Sequence, residues 1–580
     1  MDFEKGRNQL KHRLFWDDAL LILIMATLAA CGLIYEYLLS HYAGRVLGTV
    51  ETAIYAMIGL MIVSMGLGAF AARWFKSPFT AFAWLEIIIA MIGMSSILVI
   101  ASLIAVSHQL PYWVSTIFNL PEGVVLDGHL FSALQKQLTY LPYVAGFVLG
   151  FLIGMEIPLI ARVRQAIHDE FLENNAGTIY GADYIGAGFG AALWVMFMLS
   201  MDIASASALT AALNIVAGFC FIWRFNDRLG GFKWLLGFNA VALVGLGLVF
   251  SLGNQWMQQM TDALYKDHVI YSTQTNYQHI AVTERTIPGN QQRILDLYLN
   301  GRLQFSSADE HIYHSMLVYP AMAASNRHDN ILVIGGGDGL ALRNILRWNP
   351  QSVTLIDLDE QLVNLFQGIA SDSENAVLPA LSERFLSLND NAFLDKRVTP
   401  IFGDAFVEIN ALLGQQKHFD TIIIDLPDPS HPDLNKLYSD YFYNKVSQLL
   451  NADGVMVIQS TSPFHAPKAF KSIGKTLSAA GLTHVEQYRQ NIPSFGEWGW
   501  TIGVKQGVAA SQRLSELPEL LIDDEWVTKG LMLAAFEFPA NFYEDLPEIQ
   551  TNYLGSGVLY QYHYQAWLAD QGVFTGNTRN

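Results

Sequence analysis

Residues 331–342 read ILVIGGGDGLAL and decide the fold of the C-terminal half of the chain. Four β-prone apolar residues lead directly into three glycines, an aspartate and a fourth glycine, and helical sequence follows. A strand, a tight glycine turn and a helix start in this order allow the backbone to approach a nucleotide closely. The stretch therefore predicts a Rossmann-like α/β domain, with Gly335 and Gly337 in its ligand-binding turn.

Asp338 is the unusual residue of this turn. The N-terminus of a helix attracts anions, so a turn that cradles pyrophosphate there would be weakened by a carboxylate. A turn that holds a cationic ligand would be strengthened by one. The residue thus indicates a nucleoside that carries positive charge, such as an S-adenosyl sulfonium compound.

Composition limits the class of protein. The chain has 580 residues, of which 52% are hydrophobic and only 15% charged, and the apolar excess lies before about residue 252. A formal net charge of −18 argues against nucleic-acid binding. The two cysteines, Cys31 and Cys220, lie in apolar stretches and form neither a disulfide framework nor a zinc pattern, so we expect no bound metal.

The N-terminal half is predicted to be a helical membrane domain. A helix that crosses a bilayer needs about 20 mostly apolar residues, and about seven segments qualify. The intervening region 108–138, with Pro111 and Pro121, is predicted to be a long loop. The expected spans are 18–40, 52–74, 79–106, 139–161, 183–203, 204–224 and 232–252.

Two arguments about orientation disagree. Lys and Arg concentrate in the N-terminal tail and in the loops after the second, fourth and sixth spans, which places the N-terminus in the cytoplasm. Seven spans would then put the C-terminal half outside the cell. A re-entrant fifth or sixth segment, or an extra span within 108–138, would instead leave it in the cytoplasm.

Acidic residues interrupt the apolar segments at Glu36, Glu86 and Glu156. Ionisable groups inside a membrane are candidates for function. Two interpretations remain open at this point, namely a site or path for a cation, and hydrogen bonding between helices.

The second half begins with β-structure. The alternating stretch 268–305 contains the turn signals Pro288-Gly289-Asn290 and Asn300-Gly301, which predict a small antiparallel sheet. A helix is expected from about Ser307. Strands then alternate with helices, which indicates a parallel, doubly wound sheet.

Aspartates follow the strands of this predicted sheet. Ligands bind beyond the carboxyl ends of parallel strands, so these side chains should share one crevice. One such aspartate would be an ordinary turn or cap residue, whereas five indicate an anionic pocket. They are Asp338, Asp357, Asp404, Asp425 and Asp428.

These motifs, taken in order, resemble the spermidine synthase, or polyamine aminopropyltransferase, family, of which membrane-fused bacterial forms exist. The resemblance covers the region from about Tyr271 to about Gly503. It is carried by Tyr277-Gln278, Asp309-Glu310, Tyr313-His314, GGGDG at 335–339, Asp357-Leu358-Asp359, Gly403-Asp404 and Asp425 to Pro429.

The resemblance implies a donor, an acceptor and residue roles. The donor would be decarboxylated S-adenosylmethionine, a cytosolic co-substrate rather than a permanent cofactor, and the acceptor a polyamine such as putrescine. Because that donor is cytosolic, we expect the catalytic half of this inner-membrane protein in the cytoplasm. The implied roles are Asp357 for ribose, Asp404 for adenine, Asp338 with Gln278 for the aminopropyl ammonium, Asp425 as base, and Tyr313, His314 and Asp428 for the acceptor.

The chain departs from the family pattern on the acceptor side. Phe495 stands where a Pro-Thr-Tyr step usually supplies a hydroxyl, and the sequences after Asp425 and at 459–470 (QSTSPFHAPKAF) are also unusual. A methyltransferase, and a transporter or sensor that binds polyamine without turnover, are the alternatives. We also expect a homo-oligomer. The expected domains are 1–252 (membrane), 253–325 (hairpins and helix), 326–510 (nucleoside binding) and 511–580 (extension).

Overall fold

The computed structural model describes residues 2–47, 50–118, 129–168, 175–265, 267–275, 277–287, 293–369 and 378–570. The chain divides into two compact units, Met1–Lys266 and Asp267–Asn580. The described part of the first unit is helical. Its α-helices are α1 (Asp2–Leu47), α2 (Val50–Ala71), α3 (Pro78–Ile117), α4 (His129–Leu138), α5 (Leu141–Ile153), α6 (Glu156–His168), α7 (Asn175–Met196), α8 (Ile203–Arg224) and α9 (Phe232–Asp262).

Six segments of the described chain are long and apolar enough to cross a membrane. The expected span 183–203 falls on α7, which is not among them because glycine and polar residues dilute its apolar content. The expected domain boundary at 252 lies inside α9. The six segments are Leu14–Gly44, Ala53–Trp74, Pro78–Ile117, Leu130–His168, Ile203–Arg224 and Phe232–Asp262.

The predicted loop 108–138 is wrong where the structure describes it. Helix α3 continues through Pro111 to Ile117, and α4 begins at His129. A proline removes the N–H that would bond to the carbonyl four residues earlier. Here the side-chain amide of Gln135 donates to the carbonyl of Ser107 at 3.2 Å, so a neighbouring helix replaces the missing donor.

One end of the helical unit, which we call the Arg164 end, is held by ion pairs. Arg164 donates to both carboxylate oxygens of Asp18, at 2.5 and 2.7 Å, and Arg224 pairs with Asp17. Arg164 also donates to Asn175 Oδ1 at 3.2 Å. The start of α1, the end of α6, the start of α7 and the end of α8 therefore lie together.

The opposite end, which we call the Asn254 end, contains different helix termini. Asn254 donates to Asp202 Oδ2 at 2.8 Å, and Gln109 donates to the carbonyl of Ala263 at 2.8 Å. The late part of α3, the start of α8 and the end of α9 thus lie together. Helix α7 begins at the Arg164 end and α8 begins at the Asn254 end, so α7 runs from one end of the unit to the other.

Helix α7 packs closely on α1. A Cβ atom at Gly186 would lie 2.0 Å from the carbonyl oxygen of Ala26, and one at Gly190 would lie 2.6 Å from that of Ala30. Small residues allow two helix backbones to approach in this way. Backbone proximity to α1 thus explains why α7 contains glycines at these positions.

The second unit contains two sheets. A four-stranded antiparallel sheet comes first, in the order β1-β2-β3-β4, and a seven-stranded sheet follows, in the order β10-β11-β9-β8-β5-β6-β7. The strands are β1 (His268–Gln274), β2 (His279–Thr286), β3 (Arg293–Leu299), β4 (Arg302–Ser306), β5 (Asn330–Gly335), β6 (Ser352–Asp357), β7 (Val398–Phe402), β8 (Phe419–Asp425), β9 (Leu450–Gln459), β10 (His484–Ile492) and β11 (Gly496–Val504).

Helices cover both faces of the larger sheet and complete the unit. A short 3-10 helix, Pro432–Tyr438, follows β8. The α-helices are α10 (Glu310–Ala324), α11 (Leu340–Leu346), α12 (Glu360–Phe366), α13 (Leu378–Leu388), α14 (Ala405–Gly414), α15 (Asp440–Gln448), α16 (Pro467–Ser478), α17 (Ala510–Glu516), α18 (Lys529–Ala534) and α19 (Val558–Asp570).

The small antiparallel sheet agrees with the prediction. Asn300 and Gly301 both have positive φ, 51° and 77°, as a tight hairpin turn requires. The predicted turn at Pro288-Gly289-Asn290 lies outside the described residues. The stretch before it forms two strands, β1 and β2, rather than one.

The larger sheet is parallel only from β5 to β9, and β10 and β11 add an antiparallel edge. Strand β5 is apolar because both of its faces are buried. Ile331 and Val333 pack into the core on one face of the sheet, and Leu332 and Ile334 pack into the core on the other. A strand buried on both faces is apolar throughout. Its carboxyl end therefore delivers the chain directly into the glycine turn.

Candidate active site

The glycine turn lies against the end of strand β8. Gly335 pairs with Asp425 in the parallel register, and its φ is +80°. A Cβ atom at Gly335 would lie 2.1 Å from the carbonyl oxygen of Asp425, and one at Gly337 would lie 2.8 Å from Oδ2 of Asp357. Glycine is required at Gly335 for both reasons, conformation and space.

Asp425 is held by a tyrosine from helix α10. The hydroxyl of Tyr313 donates a hydrogen bond of 2.6 Å to Oδ1 of Asp425. Removal from water raises the pKa of Asp425 to about 6, with the charge of Asp338 acting in the same direction and His314 and the Tyr313 bond opposing it. A carboxyl group with such a pKa is ionised near neutral pH and can accept a proton.

His314 lies on the same helix and is 1% exposed. Its Nδ1 lies 3.0 Å from Oε2 of Glu310, and Arg343 donates to both oxygens of that carboxylate at 2.9 and 3.0 Å. Burial opposes charge on His314, but the bond to Glu310 and the carboxylates of Asp338 and Asp425 raise its pKa above the ordinary value. These interactions favour the protonated form of His314 near the two aspartates.

Asp338 and Asp357 flank the turn. Oδ1 of Asp338 accepts the backbone N–H of Leu340 at 2.9 Å, and Oδ1 of Asp357 accepts that of Asp359 at 2.8 Å. Burial raises the pKa of Asp338 above its ordinary value and that of Asp357 to about 7. An incoming cation or hydrogen-bond donor would stabilise the ionised form of both carboxyl groups.

Gln278 contacts Asp359 in the structure. Its Nε2 donates to Oδ2 of Asp359 at 2.8 Å, and Thr275 donates to the same oxygen at 2.7 Å. The other oxygen of Asp359 caps helix α12. Sequence reasoning did not assign this link between the small sheet and β6, although Asp359 stands in the quoted motif.

Asp404 follows β7, next to Gly403, whose N–H donates to the carbonyl of Asp357 at 2.9 Å. Its Oδ1 caps α14 by accepting the N–H of Phe406 at 2.9 Å, and its Oδ2 pairs with Lys436 at 2.5 Å. Lys436 belongs to the 3-10 helix Pro432–Tyr438. No sequence signal marked this lysine, because the pair joins residues 32 positions apart.

Asp428 lies beyond Asp425 in the same loop and meets helix α19. Nε2 of His563 lies 3.5 Å from Oδ2 of Asp428, and Gln459 Nε2 lies 3.5 Å from Oδ1. Burial raises the pKa of Asp428, but the interaction with His563 and the charge of Arg302 outweigh it, so the pKa lies below its ordinary value. Sequence reasoning missed His563, whose surroundings LYQYHYQAW carry no recognisable motif.

Phe495 occupies the position where the family pattern has a tyrosine. Its ring centroid lies 6.1 Å from that of Tyr313 and 5.4 Å from that of Trp498. The adjacent Ser494 donates through N and Oγ to Asp309, at 2.7 and 2.9 Å. The rings of Phe495 and Trp498 therefore lie next to Tyr313, the residue whose hydroxyl reaches Asp425.

A cavity of about 870 Å³ lies elsewhere in this unit and contains none of the predicted site residues. Three of its arginines are already neutralised, since Arg343, Arg347 and Arg384 pair with Glu310, Asp524 and Glu284. In the described residues no group of three or more His, Cys, Asp or Glu side chains is arranged to hold a metal.

Comparisons with known proteins identify the family of this chain. Residues 310–514 match the model of the spermine/spermidine synthase domain. A polyamine aminopropyltransferase of Shewanella oneidensis is 55% identical over 97% of this chain and 97% of its own length. Polyamine aminopropyltransferase 1 of Streptomyces coelicolor is 33% identical over 90% of each.

A solved spermidine synthase in complex with the transition state analogue AdoDATO shares 22% identity, with a TM-score of 0.40, over 48% of this chain and 87% of that one. The methyltransferase and the non-catalytic transporter find no support among these relatives. The resemblance inferred from GGGDG and the following aspartates is confirmed by the two relatives that align along nearly the whole chain. This chain belongs to the polyamine aminopropyltransferase family.

Proposed function

We propose that this protein transfers the aminopropyl group of decarboxylated S-adenosylmethionine to an amine such as putrescine, giving spermidine and methylthioadenosine. The observation that carries the proposal is Asp425, which lies beside the glycine turn through Gly335 and accepts the Tyr313 hydroxyl at 2.6 Å. Family membership supports the same reaction.

The reaction requires a base and alignment. The amine nitrogen attacks the carbon next to the sulfonium, the carbon–sulfur bond breaks, and its electron pair leaves on a neutral thioether. An ammonium cannot attack, because its lone pair carries a proton, so a carboxylate near the attacking nitrogen must accept that proton. Asp425 supplies this base, and the rest of the task is to align nitrogen, carbon and sulfur.

The donor side is assigned to the glycine turn and its neighbours. Gly335 and Gly337 let the backbone approach the nucleoside, Asp357 binds the ribose and Asp404 the adenine amino group. Asp338 binds the aminopropyl ammonium together with Gln278, which requires Gln278 to turn from Asp359. Ordinary S-adenosylmethionine carries a carboxylate that Asp338 would repel, and this repulsion selects the decarboxylated donor.

The acceptor side is assigned to Tyr313, His314 and Asp428. Asp428 attracts the distal ammonium of the amine, while Tyr313 orients the base. His314 acts through its charge, because it lies beside Asp338 and Asp425 and keeps part of the anionic pocket compensated.

We also propose that the helical unit lies in the inner membrane as a multi-pass bundle. Large apolar side chains such as Phe70, Val244 and Phe250 are 71, 66 and 68% exposed, which suits lipid better than water. The Lys- and Arg-rich Arg164 end faces the cytoplasm by the charge rule. Since α9 ends at the Asn254 end, the chain then continues on the outer face, against the cytoplasmic side expected from the donor.

A product assay tests the proposed reaction. Full-length protein in detergent is incubated with decarboxylated donor and a panel of amines, and spermidine and methylthioadenosine are measured by mass spectrometry. Asp425→Asn should lower turnover by about 10²–10⁴-fold while donor binding survives. Methyl transfer from S-adenosylmethionine without aminopropyl transfer, or normal turnover in Asp425→Asn, would refute the assignment.

A further inference from the structure

The C-terminal segment, residues 515–570, lies beyond the matched domain, yet it is fastened to the site. Asn552 is fully buried, and its Nδ2 donates to the carbonyls of Asn435 and Tyr438 at 3.2 and 3.1 Å. Its backbone N–H donates to Thr476 at 2.9 Å. The 3-10 helix that follows the Asp425 loop is therefore tied to this segment.

Asn552 also fixes the start of helix α19. Its Oδ1 accepts from Ser556 Oγ at 3.0 Å and from the N–H of Leu559 at 3.4 Å. Leu559 is 0% exposed and packs in the core beneath the 3-10 helix. Residues four apart share one helix face, so burial of Leu559 directs His563 inward as well.

Two side-chain nitrogens lie 3.5 Å from Asp428 in the described chain: Nε2 of His563 faces Oδ2 and Nε2 of Gln459 faces Oδ1. The side chains of His563 and Asp428 are 11 and 21% exposed, and Nε2 and Oδ2 lie 3.5 Å apart. Gln459 is less available, because its Nε2 donates to the carbonyl of Leu426 at 2.7 Å and to Tyr438 at 2.8 Å.

We propose that His563 is a positioning residue for the amine acceptor: it holds one oxygen of Asp428 and leaves the other for the distal ammonium of the amine. This inference rests on the proposed aminopropyl transfer and extends its acceptor site to a helix outside the matched domain. Without this contact the side chain of Asp428 is free to rotate. Loss of the contact should therefore weaken binding of the amine acceptor and leave binding of the donor unchanged.

The test compares the Michaelis constants of the two substrates in full-length enzyme. His563→Ala should raise the KM for putrescine about 10-fold, the size expected for a hydrogen bond to a charged group, and change the donor KM less than about twofold. His563→Gln, whose amide can reach Asp428, should recover most of the acceptor affinity, whereas His563→Phe should not. Gln565→Ala, on the exposed face of α19, is the matched control.

Several outcomes would overturn the inference. An unchanged acceptor KM in His563→Ala, equal changes in both KM values, or no difference between His563→Gln and His563→Phe would each exclude a positioning role. If His563→Ala does not fold, the Gln and Phe variants make the same comparison. Wild-type protein that makes no methylthioadenosine would instead refute the proposed function itself.

Discussion

The hydroxyl of Tyr313 donates a 2.6 Å hydrogen bond to Oδ1 of Asp425, and thereby joins helix α10 to the end of strand β8. Tyr313 is 8% exposed, so this bond is made where water competes little. The bond favours the ionised carboxylate, and it leaves Oδ2 as the oxygen that can receive a proton.

Tyr313→Phe should change the pH dependence of the reaction. Asp425 must be ionised to act as base, so kcat/KM in wild type should fall as the pH drops below about 6. Removal of the hydroxyl removes an interaction that lowers the pKa of Asp425, so the acidic limb should move to higher pH by about 1–2 units, which lowers kcat/KM at pH 7 about 2–10-fold. A pH–rate profile with an unmoved acidic limb would show that the bond does not control the base; Tyr441→Phe, at an exposed position, is the control.

Asp338→Asn should relax donor selection. The carboxylate attracts the aminopropyl ammonium and repels the carboxylate of ordinary S-adenosylmethionine. Its neutralisation should therefore weaken binding of the decarboxylated donor and strengthen binding of S-adenosylmethionine. Calorimetry should show a smaller ratio of the two affinities, by about 10-fold or more. The assignment fails if that ratio is the same in wild type and variant.

Lys436→Met should tighten donor binding slightly. Lys436 occupies Oδ2 of Asp404, the residue proposed to bind the adenine amino group, and must release it when the donor enters. The side chains of Lys436 and Asp404 are 39 and 35% exposed, so the pair is worth at most about 1 kcal/mol, or about fivefold in affinity. Weaker donor binding in Lys436→Met would mean that the lysine assists the donor, and Lys445→Met provides a surface control.

Reporter fusions should place the two ends of the chain on opposite sides of the membrane. In the described chain, Asp18 of α1 lies at the Arg164 end and the end of α9 lies at the Asn254 end, which predicts a cytoplasmic N-terminus and an external C-terminus. Alkaline phosphatase fused after Asn580 should be active, and a cytoplasmic fluorescent reporter there should be silent. The reverse result would place catalysis in the cytoplasm and contradict the orientation derived from the charged loops.

The sequence alone determined the architecture of the nucleoside site. Strand β5, the glycine turn and the aspartates after the strands are local features, and parallel strands necessarily bring their carboxyl ends to one edge. Local sequence patterns were therefore sufficient to place Gly335, Asp338, Asp357 and Asp425 at the carboxyl edge of the parallel strands. The apolar content of the first half likewise predicted its helices, because length and hydrophobicity are sufficient for that inference.

Only the tertiary structure decided the contacts made across long chain separations. The pairs Asp404–Lys436 and Asp428–His563, and the bond between Gln278 and Asp359, join residues with no local pattern in common. The continuation of α3 through Pro111 likewise depends on Gln135 in another helix. Local sequence encodes strands, turns and helices, but which side chains then meet depends on how those elements pack.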